Sequence, residues 1–319
     1  MSTGMIGKPD AQLEKILPKD PLAVNIAGVE LANPVMTASG TFGSGMEYSE
    51  FVDLNRLGAV VTKGVADVPW EGNPVPRVAE VYGGMLNAIG LQNPGIDTFL
   101  SRDLPFLRQY DTKIIVNVCG HTEEEYLRVV EKLQDQPVDM LEINISCPNV
   151  KEGGIAFGLV PQGVERITKK IRAVAKQPVI MKLSPNVTDI TEIARAAEAG
   201  GADALSLINT LTGMKIDVHR KAFVLANRTG GMSGPAIHPV AVRMVWQCAQ
   251  AVSVPLIGMG GIRSTEDALE FMLAGATAVA VGTANFIQPD ITAEIVEGMR
   301  DYVREQGLGS IREIIGAVR

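Results

Sequence analysis

Residues 178–210 read PVIMKLSPNVTDITEIARAAEAGGADALSLINT and hold one complete strand–helix–strand unit. The runs at 178–184 and 203–209 predict strands, because each is short, apolar and followed by polar residues. Between them, apolar residues recur at helical spacing, and Thr188 precedes them as a candidate helix cap: Ile190, Ile193, Ala194 and Ala197. The stretch therefore predicts two parallel strands joined by a helix.

The same unit repeats along the chain. Eight runs predict strands: NPVMTA (33–38), GAVVTKG (58–64), KIIVNV (113–118), DMLEINIS (139–146), PVIMKLS (178–184), DALSLIN (203–209), PLIGMG (255–260) and TAVAVG (277–282). Eight strands alternating with helices favour an α/β fold that is a single (β/α)₈ TIM barrel, because open doubly wound sheets usually have five or six. Two long connections, at 64–112 and 210–238, are expected to form loops with short local elements at the C-terminal mouth of the barrel.

The amino-acid composition limits which class of protein this chain can be. The 319 residues are 46% apolar and 20% charged, which fits one globular domain, and we divide the chain into an N-terminal extension (1–21) and a barrel domain (22–319). A net charge of −7 gives no basic surface for nucleic acid or an anionic membrane. The polar N-terminus and the lack of any apolar run near the roughly 18 residues of a membrane span predict a cytoplasmic protein.

Cysteines and histidines are few and widely spaced. Cys119, Cys147 and Cys248 form neither a disulfide framework nor a CxxC pair for zinc or an iron–sulfur cluster. The three histidines do not lie three or four residues apart, so we predict no metal site.

Polar side chains collect where the predicted strands end. In a barrel of this kind the active site is built from the C-terminal ends of the strands. The residues at these ends are Lys63, Asn117, Asn144 with Cys147, Lys182, Asn209 with Thr210, Gly260, Gly261, Gly282 and Thr283. Buried polar groups need partners, so this mouth is expected to bind a polar ligand.

Three features of the mouth suggest chemistry. GMGGI (258–262) and VGTA (281–284) suit a phosphate group, although two ordinary turns would look similar. Lys63 and Lys182 can polarise a carboxylate, neutralise an anionic reduced cofactor or form a Schiff base. Cys147, followed by the glycine-containing segment 150–158, is placed for proton or nucleophile chemistry, whereas the other two cysteines are interpreted as inert.

Together these motifs resemble the dihydroorotate dehydrogenases of pyrimidine biosynthesis, over about residues 22–315. The matching motifs are ASGTFG (38–43), TKG (62–64), NAIGLQNPG (87–95), VNV (116–118), EINISCPNV (142–150), MKLSPN (181–186), LINT (207–210), GGMSGPAI (230–237), GMGGI (258–262) and VGTA (281–284). The resemblance implies a barrel flavoenzyme that uses FMN to oxidise dihydroorotate to orotate.

The resemblance also implies site residues. Those implied to bind FMN are Ser39, Lys63, Gly64, Asn117, Asn144, Lys182, Ile208, Gly234, Gly260, Gly261, Gly282 and Thr283. Those implied to bind dihydroorotate are Lys63, Asn87, Ala88, Ile89, Gly90, Leu91, Asn144, Asn209 and Thr210. Cys147 is implied to be the general base that removes a proton from ring carbon five while hydride leaves carbon six.

A cysteine at position 147 marks class 1, since the membrane-associated class 2 enzymes have serine there. NAIGLQNPG and the segment NISCPNVK (144–151) resemble the NAD-linked subgroup, class 1B. That subgroup implies a partner subunit carrying FAD and a [2Fe–2S] cluster, in a heterotetramer of two catalytic and two electron-transfer chains. The chain lacks a cluster-ligating set of cysteines, which fits such a division.

Four alternatives remain open at this point. One is a fumarate-using class 1A dihydroorotate dehydrogenase, and another is a uracil reductase module like that of dihydropyrimidine dehydrogenase. The third is a Schiff-base aldolase with Lys182 as nucleophile, and the fourth is a non-catalytic ligand-binding subunit. Inhibition by orotate would separate the first two, because dihydroorotate carries a carboxylate and dihydrouracil does not.

Overall fold

The computed structural model describes residues 20–145 and 157–319. The strands within these residues are short and are numbered along the chain: β1 (Val24–Ile26), β2 (Val29–Leu31), β3 (Val35–Thr37), β4 (Ala59–Val61), β5 (Val78–Val81), β6 (Gly84–Asn87), β7 (Lys113–Val118), β8 (Met140–Asn144), β9 (Val179–Lys182), β10 (Ala204–Leu207), β11 (Leu211–Met214), β12 (Ile216–Asp217), β13 (Ala222–Phe223), β14 (Thr229–Ser233), β15 (Leu256–Met259) and β16 (Ala278–Val281).

Eight of these strands close into a parallel barrel in the order β3-β4-β7-β8-β9-β10-β15-β16. Each of the eight lies inside one of the eight runs quoted from the sequence, so the predicted (β/α)₈ barrel is confirmed. Most of the predicted runs extend past the strands, by up to three residues, because residues such as Lys63, Asn209 and Gly260 belong to the mouth and not to the ladder.

Helices connect the strands and surround the barrel. Their bounds are α1 (Ile96–Thr98), α2 (Leu104–Leu107), α3 (Glu123–Leu133), α4 (Pro161–Val174), α5 (Ile190–Ala199), α6 (His238–Ala249), α7 (Thr265–Leu273) and α8 (Ile291–Glu305). The cap of α5 corrects the sequence prediction: Asp189, not Thr188, accepts the hydrogen bond from Thr191 N at 2.8 Å. Asp189 has the extended backbone of a cap, which places its carboxylate over the free N–H groups of the first turn.

The core lies between the barrel wall and the helices. Strands β4, β9, β10, β15 and β16 are buried at every position, as expected for parallel strands covered on both faces. The helices contribute one apolar stripe each; α3, for example, buries Tyr126, Val129, Val130 and Leu133. This packing fixes where each strand ends and hence where the mouth residues lie.

The two long connections form more regular structure than the sequence indicates. Strands β5 and β6 come from the first connection and β11 and β14 from the second, and they pair in one antiparallel sheet of order β11-β14-β6-β5. Gly231 pairs with Asn87 in this sheet, so it joins the two connections across the mouth. The expected position of the connections is confirmed, and their short local elements pair to form this sheet.

Residues 1–19 lie outside the described residues, so the N-terminal extension stays a prediction. Asp20 lies 3.1 Å from the Arg300 guanidinium of α8, and Pro21 O accepts a hydrogen bond from Ile311 N. In the described part of the chain, no helix has both the length and the apolar character needed to cross a membrane.

Candidate active site

A cavity of about 390 Å³ opens at the C-terminal ends of the barrel strands, beneath the antiparallel sheet. Sixteen of the residues implied to bind cofactor or substrate line it: Ser39, Lys63, Asn87, Ala88, Ile89, Gly90, Leu91, Asn144, Lys182, Ile208, Asn209, Thr210, Gly260, Gly261, Gly282 and Thr283. The structure thus brings the predicted set together in one place, and the role of each residue stays a prediction.

Three residues of the predicted set do not line the cavity. Asn117 is fully buried, and its side-chain amide donates to Glu142 Oε1 at 2.6 Å. Gly64 lies beside it, since an added Cβ there would sit 3.2 Å from both Asn117 Oδ1 and Cys119 Sγ. Gly234 packs backbone against backbone on Gly84, with an added Cβ only 2.7 Å from Gly84 Cα. These three support the wall rather than form its surface.

Cys147 falls outside the described residues, as does most of the glycine-containing segment that follows it. The other two cysteines are buried, as their interpretation as inert requires. Burial raises the pKa of Cys248 to about 12, so its thiol stays protonated at neutral pH. The prediction of a base at position 147 therefore rests on the sequence.

The charged groups in the described lining are Lys63 and Lys182, with no Asp or Glu among them. Burial lowers the pKa of Lys63 below its ordinary value; the nearby Cys119 opposes this effect, and the positive charges of Lys182 and Arg77 add to it. Among the described residues, no acceptor lies within hydrogen-bonding distance of Lys63 Nζ. The cavity is therefore electropositive and suits an anionic ligand.

Oriented amides form one side of the cavity. Asn144 is buried, and Asn209 Nδ2 donates to Asn144 Oδ1 at 3.5 Å. The main chain beneath them is held by Tyr126, whose hydroxyl donates to Asn144 O at 2.7 Å. Thr210 N donates to Asn209 Oδ1 at 2.7 Å, which fixes the second amide. Fixed amides of this kind can recognise a ligand with alternating donors and acceptors.

The glycine-rich end of the cavity is held by a histidine. Gly260 and Gly261 have φ values of +140° and +71°, which favour glycine, and they follow β15 directly. His238 Nδ1 lies 3.0 Å from Gly260 O, and its Nε2 lies 2.7 Å from Glu270 Oε2. The ring thus links the glycine turn to α7, which is a structural role for His238.

Sequence reasoning missed Glu142, the charged residue beneath the cavity floor. It lies in β8 with a relative exposure of 1%, and it interacts with Asn117, Lys182 and Ser206. The available signal was an acidic residue inside an otherwise apolar strand. Further lining residues that were not predicted come from the antiparallel sheet and from the connections that follow the barrel strands: Asn73, Asn186, Thr212, Asn227, Ser233 and Phe286.

Comparison with known proteins gives consistent matches. The family model described as "Dihydroorotate dehydrogenase" matches residues 21–303. The chain is 68% identical over 296 residues to "Dihydroorotate dehydrogenase B (NAD(+)), catalytic subunit" of Lachnoclostridium phytofermentans, covering 93% of this chain and 99% of that protein. It is 56% identical over 314 residues to the protein of the same name from Geotalea uraniireducens, covering 98% and 99% of the two chains.

Proposed function

The chain belongs to the dihydroorotate dehydrogenase family, and we propose that it oxidises (S)-dihydroorotate to orotate with FMN, for delivery of electrons to NAD⁺. The observation that carries the proposal is the cavity at the barrel mouth, whose described lining has two lysines and no carboxylate. A mostly apolar, electropositive cavity suits a flavin phosphate together with a substrate carboxylate.

The residues at the glycine-rich end fit FMN. An added Cβ at Gly282 would meet only Ala38 Cβ, at 3.5 Å, so the missing side chain leaves open space in the cavity. Gly260, Gly261, Gly282 and Thr283 would hold the phosphate, with the hydroxyl of Thr283 donating to Ser233 Oγ at 2.7 Å. Lys182 and Asn144 would lie beside the flavin ring, and Ile208 would pack against it.

Bound FMN supplies an acceptor for the hydride that leaves ring carbon six. This chain's residues would do the rest. Lys63 pairs with the substrate carboxylate, and Asn87, Asn144 and Asn209 orient the cyclic ureide by hydrogen bonds. Cys147, three residues after Asn144, accepts the proton from ring carbon five. The sheet across the mouth keeps water from the reacting atoms.

We further propose a partner subunit that carries FAD and a [2Fe–2S] cluster, assembled as two catalytic and two electron-transfer chains in the cytoplasm. The relatives are named catalytic subunits, which supports a separate electron-transfer chain. The three cysteines of this sequence are too few to ligate a four-cysteine cluster.

A visible absorption spectrum, recorded anaerobically on the purified chain, tests the proposal. We expect an oxidised-flavin spectrum that bleaches when dihydroorotate is added, and that recovers with NAD⁺ only when the partner subunit is present. A chain without flavin, or one whose flavin dihydroorotate leaves oxidised, would contradict the proposed function.

The same sample separates the alternatives. Recovery with fumarate instead of NAD⁺ would indicate the class 1A activity. Bleaching by dihydrouracil, with weak inhibition by orotate, would indicate a uracil reductase. A product trapped by borohydride on Lys182 would indicate a Schiff-base aldolase. A flavin spectrum that changes with none of these substrates would indicate a non-catalytic ligand-binding subunit.

Replacing His238 with alanine is expected to weaken FMN binding about tenfold, because it removes the ring that holds Gly260. Titration of apoprotein with FMN, followed by flavin fluorescence, measures the change. Gln247→Ala is the matched control: Gln247 lies on the same helix, and its side chain accepts from Arg243 instead of contacting the cavity. Equal affinities for both variants would contradict this role for His238.

A further inference from the structure

Glu142 is a buried carboxylate that the proposed reaction does not use. Its relative exposure is 1%, in a barrel interior that is otherwise lined mainly by apolar side chains. An isolated buried carboxylate is strongly unfavourable, so its retention requires partners that offset the lost hydration. Those partners show what it does.

Three neighbouring strands each contribute one polar side chain around this carboxylate. Asn117 on β7 donates to Oε1 at 2.6 Å, and Ser206 on β10 donates to Oε2 at 2.8 Å. Lys182 on β9 places its ammonium 3.4 Å from Oε1. The parallel register aligns Asn117 with Glu142 and Ser206 with Lys182, so the barrel itself sets this arrangement.

All three partners can donate a hydrogen bond, and the two oxygens of Glu142 can accept from all of them. Asn117 turns its amide N–H₂ toward Glu142, and this leaves its Oδ1 buried without a partner among the described residues. An unsatisfied buried carbonyl is costly. The contact with Glu142 therefore determines how this side chain is oriented.

Lys182 is the member of this group that reaches the cavity. It is 5% exposed, and its one recorded acceptor among the described residues is Glu142. Lys63 lies in the same cavity, where residues 20–145 and 157–319 give it no such counterion, and the positive charge of Lys182 contributes to its lowered pKa. The two lysines thus differ: one is paired within the protein, and the other is free to pair with a ligand.

We propose that Glu142 is a positioning residue that fixes the ammonium of Lys182 at the cavity floor and offsets its charge, and so tunes the reduction potential of the bound flavin. The inference rests on the proposed function, because it requires a flavin in the cavity. Reduction adds negative charge to a flavin, so a nearby cation favours the reduced form and a nearby anion opposes it. The potential thus depends on both members of the pair.

Glu142→Gln removes the charge while keeping the shape and the hydrogen bonds. The amide oxygen can accept from Asn117 and Lys182, and the amide N–H₂ can donate to Ser206 Oγ. Ser206→Ala is the matched control, since it removes one hydrogen bond from the same carboxylate and leaves the charge. Lys182→Met removes the partner charge.

The flavin potential, measured by equilibration with a redox dye, is the first readout. We expect Glu142→Gln to raise the flavin potential and Lys182→Met to lower it. Each change should shift the equilibrium between oxidised and reduced flavin about tenfold, which is about 30 mV for a two-electron couple. Ser206→Ala is expected to shift it by less than a third of this. The proposal would be overturned if Glu142→Gln shifted the flavin potential in the same direction as Lys182→Met. It would also be overturned if the shift in Glu142→Gln were no larger than the shift in Ser206→Ala.

Thermal unfolding of the apoproteins tests the pairing without flavin. Lys182→Met leaves a buried carboxylate unpaired, and we expect Tm to fall by about 5–10 °C. The double variant Glu142→Gln/Lys182→Met is expected to unfold at a higher temperature than Lys182→Met alone. If the decreases in Tm of the two single variants added up in the double variant, the proposed pairing would be wrong. This test does not require that a variant retain flavin. A wild-type chain that binds no flavin would instead refute the proposed function, while the unfolding cycle would still report on the pair.

Discussion

Cys147→Ala is expected to slow the reduction of the bound flavin by dihydroorotate by about 10²–10⁴-fold, the usual contribution of a general base. Alanine has no proton acceptor, so the proton on ring carbon five would have to pass to water at a mouth covered by the antiparallel sheet. Anaerobic stopped-flow absorbance of the flavin measures this half-reaction directly. The binding of FMN and orotate should change by less than about threefold, because the side chain acts on a proton and not on affinity.

Cys248→Ala provides the matched control for this prediction. Cys248 is buried on α6 away from the cavity, and burial raises its pKa to about 12, so it cannot act as a base at neutral pH. This variant is expected to reduce flavin at the wild-type rate. If Cys147→Ala also reduced flavin at the wild-type rate, the cysteine would have no part in proton removal.

The barrel was predictable because its signal is local and repeated. Each strand is a short apolar run, and burial on both faces by neighbouring strands and helices demands that pattern. The unit at 178–210 already contains β9, α5 and β10 in the observed order. Its one error, the cap of α5, is a shift of a single residue between two side chains that can both accept a hydrogen bond.

The sheet at the mouth was not predictable in the same way. Its central contact pairs Asn87 with Gly231, residues that lie 144 positions apart. Strand β14 is the glycine-rich run TGGMS, which has little intrinsic preference for a strand. Pairing with β6 and β11 determines its conformation, and a single sequence does not show that pairing.

The residues of the candidate site lie at two depths in the barrel, and the sequence predicts the position of the outer ones better than that of the inner ones. Side chains that follow the last residue of a strand, such as Asn209 and Thr283, were placed at the mouth correctly because the fold alone decides their position. Asn117 and Glu142 lie one layer deeper, where the pairing of four strands decides which side chains meet. The sequence shows each of them as a polar residue in an apolar strand, without showing its partner.

Lys63 offers a different test, because this partly buried lysine has no counterion within the described residues. We expect Lys63→Met to weaken orotate binding about 10- to 100-fold, the usual worth of hydrogen bonds to a charged group. Equilibrium titration of the oxidised holoenzyme with orotate measures this loss. Lys176→Met is the control: Lys176 is an exposed lysine that pairs with Asp135 at 2.6 Å and does not line the cavity.

The same substitution is expected to stabilise the apoprotein, by about 1 kcal/mol and roughly 2 °C in Tm at neutral pH. Burial lowers the pKa of Lys63 in the folded chain, so between that lowered pKa and about 10.4 the unfolded chain binds more protons. Wild-type stability therefore rises with pH across this interval, and the advantage of Lys63→Met is complete below it and vanishes above it. Calorimetric scans of both apoproteins at several pH values would show the difference shrinking as the pH rises. A variant that is less stable than wild type at neutral pH and still binds orotate tightly would contradict both roles of Lys63, the unfavourable buried cation and the carboxylate ligand.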